Sequence, residues 1–146
     1  MFDLIKSKID AAASSGKRVL SRVTDYYSFR RHVFAGFLIA QADGDFDADE
    51  RAALAAFIKS RMGQFELADI IKVIKVCEEK VSFDQELGRA EMIDAIGEAS
   101  GNEAQSIARL MSFIGKADGS FDADELDVAK AVCKALNISG ERFGIK

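Results

Sequence analysis

Proline is absent from all 146 residues, and histidine occurs once, as His32. Without proline no helix is forced to break for want of a backbone N–H. Together with abundant Ala, Lys, Glu and Asp and few β-branched runs, that absence predicts an all-helical chain. The single histidine follows Arg30 and Arg31 and has no acid beside it, so it reads as a solvated or capping residue rather than a catalytic base. Cysteine is also scarce. Cys77 and Cys133 lie inside helical patterns, without metal-binding spacing or the basic surroundings that activate thiols. Both read as reduced core residues of a cytoplasmic protein. The longest apolar run, Val33 to Ala40, falls far short of the ~20 residues that cross a bilayer. The first residues lack the basic, apolar, small-residue order of a secretory signal. No nucleophile elbow, phosphate loop or metalloprotease motif occurs, and the expectation is a protein with no catalytic residues, not an enzyme.

What remains suffices for one core, since a chain of this length buries roughly two thirds of its unfolded surface. Its net charge of −4 is unevenly spread. Residues 1–32 carry seven Lys/Arg against three acids, whereas the remainder carries thirteen against twenty-one. Such a basic head is an interaction arm or folds back on the acidic body. That body would repel phosphate, which argues against nucleic acid.

Phe2, Ile5 and Ile9 mark a short amphipathic helix over 2–14, read either as packed on the domain or as a peripheral membrane or partner contact. Ser14-Ser15-Gly16 ends it, and Val19, Leu20, Val23, Tyr26 and Tyr27 mark a second helix. The helical domain is placed at 33–146. Val33 to Ala42 is apolar on nearly every side and predicts a central buried helix. Its counterpart is Ile107 to Ala117, with Leu110, Met111, Phe113 and Ile114 facing inward. Helices over Leu67 to Val81 and Leu87 to Ala99 lie between, with Ser82-Phe83-Asp84 as their turn. The expected fold is a compact all-α bundle of about seven helices containing a pseudo-twofold helix-loop-helix repeat.

The repeat is an acidic motif. Ala42-Asp43-Gly44-Asp45-Phe46-Asp47-Ala48-Asp49-Glu50 returns 75 residues later as Ala117-Asp118-Gly119-Ser120-Phe121-Asp122-Ala123-Asp124-Glu125, with Ser120 replacing Asp45 as the one difference. Setting each glycine on the invariant glycine of an EF-hand loop places Asp43 and Asp118 on the ligand before it. Asp47 and Asp122 then take the position that often holds a water, and Glu50 and Glu125 that of the terminal bidentate glutamate. The opening ligand positions are vacant, falling on Ile39 and Gln41 in one copy and on Ile114 and Lys116 in the other. The candidate ligands are Asp43, Asp45, Asp47, Glu50, Asp118, Asp122 and Glu125; Asp49, Asp124, Glu86 and Glu91 are candidates for a second layer. Oxygen donors without clustered His or Cys suit Ca²⁺, with Mg²⁺ the other choice, bound weakly at about 10⁻⁴ M or poorer. The competing account is structural: Asp47-x-x-Glu50 and Asp122-x-x-Glu125 are also capping boxes, and Asp-Gly is a turn dipeptide.

The two loops, the central Ser82-Phe83-Asp84-Gln85-Glu86-Leu87-Gly88 and the closing Glu141-Arg142-Phe143-Gly144 resemble the TerB family of tellurite-resistance proteins over essentially the whole chain. The resemblance implies an all-helical, pseudo-twofold domain with an acidic cation-binding surface. It also implies a place in the bacterial cytoplasm at the inner face of the membrane, beside other Ter proteins including the membrane protein TerC. Asp43, Asp47 and Glu50 match one half of the acidic site, and Asp118, Asp122 and Glu125 the other. The resulting expectation is a non-enzymatic stress-response adaptor that binds a divalent cation. Its rival is a metal-independent interaction module whose acidic face docks a basic partner.

Overall fold

The computed structural model describes residues 25–117 and 119–146. The helix placed at 2–14, and the part of the next helix around Val19, Leu20 and Val23, lie outside them. Within them the all-helical expectation holds, with six α-helices rather than about seven: α1 (Tyr26–Ala40), α2 (Ala48–Arg61), α3 (Leu67–Phe83), α4 (Gln85–Ile96), α5 (Gly101–Gly115) and α6 (Ala123–Leu136). A 3₁₀ turn, Glu141–Phe143, follows.

α1 begins earlier than its apolar run suggests. Asp25 caps it by accepting the Tyr27 N–H at 2.9 Å, so Tyr26 and Tyr27 open the central helix. The helix continues unbroken through residues 32 and 33, the boundary placed between the basic head and the helical domain. From His32 to Ala40 every residue is buried. A helix apolar on all sides has to be surrounded, and α1 packs against each of the other five. The two helix-loop-helix units, α1–α2 and α5–α6, meet through α1 and α5, with the α3–α4 pair alongside.

His32 corrects the solvated reading. It is fully buried between α1 and α5. Its Nδ1 lies 2.7 Å from the Ser28 carbonyl, which can only accept, so Nδ1 carries the proton. Nε2, 2.8 Å from Ser106 Oγ, therefore accepts from that hydroxyl. Burial, helped by neighbouring Arg31, pushes the imidazole pKa down and keeps the ring neutral. Next to it, Arg31 forms a two-armed ion pair with Glu103 of α5. Cys77 and Cys133 are free and buried, and burial raises both thiol pKa values.

Candidate functional site

Each acidic loop occupies seven residues, 41–47 and 116–122, between a buried helix and an exposed helix start. The local geometry follows from the sequence. Gly44 and Gly119 have φ of +94° and +120°, a backbone region closed to most residues with a Cβ. Asp43 Oδ1 accepts the Asp45 N–H at 3.0 Å and tightens the first turn. Both capping boxes form. Asp47 Oδ1 accepts the Glu50 N–H at 2.8 Å while Glu50 Oε1 accepts the Asp47 N–H at 3.0 Å. Asp122 and Glu125 repeat the pair with the same two distances.

These caps draw both terminal glutamates inward. Glu50 is 1 % exposed and Glu125 is fully buried. The cap uses one oxygen of Glu50; its Oε2 is buried and accepts no hydrogen bond from the described residues. A buried, unmatched carboxylate oxygen is costly to keep ionised. Accordingly, burial pushes the Glu50 carboxyl up to about 7, and repulsion from Asp47, Asp43 and Asp45 acts in the same direction.

Other candidate residues sit as follows. Asp45, Asp49 and Asp124 are exposed, while Asp43, Asp47 and Asp122 are half-buried. Asp118 lies outside the described residues. Glu86 is exposed on the first turn of α4. Glu91 is held by Lys80 at 3.0 Å. Among the described residues no three carboxylate, thiol or imidazole groups stand close enough to hold a metal ion. The donor chemistry of the first loop nevertheless suits a hard cation, and Glu50 Oε2 is an oxygen for which the described residues supply no partner.

The sequence reading missed the residue that holds the start of the first loop. Arg89, on α4, donates from Nε and Nη2 to Gln41 Oε1 at 2.9 and 2.8 Å. Nη2 also reaches the backbone carbonyls of Gln41 at 2.7 Å and Ala42 at 3.2 Å. Burial lowers the guanidinium pKa, and the carboxylates of Asp124 and Asp43 oppose that shift. One loop and the helix start after the other therefore act on the same resident cation. Gln41, whose position matches the second ligand of an EF-hand loop, gives its oxygens to Arg89. Its amide in turn donates to Gln85 at 2.9 Å. The only sequence signal was the polar Gln41 ending an apolar helix; nothing near residue 89 points to it.

No helix of the described residues is long and apolar enough to cross a membrane. A family model described as tellurite resistance protein TerB matches residues 30–145. No curated protein and no solved structure matches the chain.

Proposed function

The chain belongs to the TerB family of tellurite-resistance proteins, and we propose that it serves there as a non-catalytic adaptor whose acidic loops respond to a divalent cation. The observation that carries this reading is the buried Oε2 of Glu50, left without a hydrogen-bond donor among the described residues and repelled by Asp47, Asp43 and Asp45. A hard dication supplies positive charge that offsets their repulsion and favours the ionised form of Glu50. Glu50, Asp43, Asp45 and Asp47 are the residues that would hold it, with Asp118, Asp122 and Glu125 forming the matching half. Calcium is the expected ion and magnesium the alternative. Because turn and cap bonds already engage Asp43, Asp47 and Glu50, ligands have to turn to reach an ion, which keeps affinity weak. The partners of this reading are other Ter-system proteins, including TerC, met at the cytoplasmic face of the membrane, with the basic head as a peripheral contact.

A calcium titration of ¹⁵N-labelled protein, with magnesium and monovalent-salt controls, tests the proposal. Saturable shifts at Gly44, Glu50 and Gly119 that vanish in Glu50→Gln are expected. Shifts no larger than those in the salt control would sink the cation reading and leave the acidic face as a docking surface alone.

A further inference from the structure

The segment Ser82–Gly88 joins α3 to α4, and several of its residues have clear structural tasks. Asp84 caps α4, accepting the Leu87 N–H at 3.0 Å. Gln85 accepts from Gln41. Gly88 allows the two helices to touch, since a Cβ there would lie 2.6 Å from the Lys80 carbonyl oxygen. Phe83 does none of this. It ends α3 with 89 % of its surface exposed and stands as a ridge between two grooves.

The larger groove, about 680 Å³, has Gly44 and Phe46 of the first acidic loop on one side and Glu79 and Val81 of α3 on the other. That volume suits a cluster of side chains rather than a single ion. The smaller groove, about 330 Å³, runs between α3 and α4 beside Leu87, itself 49 % exposed. A lone exposed phenylalanine is unremarkable on a soluble protein. One flanked on both sides by concave, partly apolar surface has the layout of an anchoring site.

Charge selects the occupant. The larger groove is lined by Glu79 and by Glu78, which Arg51 already pairs at 2.7 Å, with no Lys or Arg in its lining among the described residues. The smaller adds Glu91 and a lysine, Lys80, already bonded to it. Asp84 and Glu86, next to Phe83 and Gln85 in the chain, are exposed. We propose that the α3–α4 elbow docks a basic amphipathic segment of a partner protein. The partner's apolar side chains close over Phe83 and Leu87, while its Lys or Arg side chains face Glu79 and the acids of the elbow. This inference rests on the adaptor half of the reading above and needs no bound cation.

The test titrates the full chain, in EDTA and physiological salt, into a fluorescein-labelled synthetic amphipathic helix of leucine and lysine. Oligolysine of equal charge is the control. Saturable binding is expected, weakened about tenfold or more by Phe83→Ser, the scale of an anchor residue. Binding of oligolysine is expected to be weaker and indifferent to Phe83. Because Phe83 is so exposed, the variant keeps the parent thermal melt. The titration runs in EDTA, so failure here and failure of the cation site are separable. No saturable binding, or binding unchanged in Phe83→Ser, overturns the proposal. Phe83-dependent self-association in sedimentation equilibrium would assign the elbow to a second copy and overturn it too. So would tighter peptide binding in a Lys6→Gln, Lys8→Gln, Lys17→Gln variant, which would assign the groove to the chain's own basic head.

Discussion

Arg89 grips Gln41 at both its side-chain oxygen and its backbone carbonyl, across 48 residues of sequence. The fork ties the end of α1, where the first acidic loop begins, to the middle of α4. Charge-assisted hydrogen bonds from a planar guanidinium are stronger than neutral ones, and a lysine cannot reproduce their geometry. Arg89→Ala should lower stability by about 2–3 kcal/mol in urea unfolding. Arg89→Lys should recover less than half of that loss, and full recovery would mean that only the charge matters.

Glu50 sets a pH dependence of definite sign. Its folded pKa is raised from 4.5 to about 7, so between those values the folded chain binds more protons than the unfolded one. The stability this contributes is complete below the unfolded pKa and disappears as pH rises through the folded one. Glu50→Gln should therefore gain on the parent in relative stability between pH 5 and pH 8. Parallel stability curves for parent and variant would show that the carboxyl titrates normally.

The positive φ of Gly44 and Gly119 makes alanine expensive at either position. Gly44→Ala and Gly119→Ala should each cost about 1–2 kcal/mol by thermal unfolding, the penalty for a side chain in left-handed backbone. Equal penalties would show the two loops to be conformationally equivalent despite Asp45 in one and Ser120 in the other.

His32 joins α1 to α5 through Ser106, so its loss empties a buried site and strips a hydrogen-bond partner from that serine. His32→Ala should destabilise by about 2–4 kcal/mol. A change within about 0.5 kcal/mol, the usual range for surface substitutions, would contradict its burial.

Helical class, loop positions and both capping boxes were legible because each is decided within a few residues. Asp47 and Glu50 are three apart, and Asp-Gly fixes its own turn. His32 was misjudged because its chain neighbours Arg30 and Arg31 were read as its surroundings. On a helix the relevant neighbours lie three and four residues away, and Phe29, Ala35 and Gly36 are all buried. That spacing was available in the sequence. Arg89 was not, because its partners come from another helix and no local pattern distinguishes it from the other basic residues. Phe83 was legible only as a turn marker. Its exposure depends on how α3 and α4 pack, which spacing along the chain does not reveal.

The encirclement of α1 also bears on the order in which the chain leaves the ribosome. Among the described helices α1 is synthesised first, yet its last contacts come from α5 and α6. Its apolar surface is not fully covered until about a hundred further residues have been made. During that interval the helix offers binding sites to chaperones or to α1 of another nascent chain. Slow translation after α4 should therefore reduce the yield of native protein even though the finished fold is unchanged.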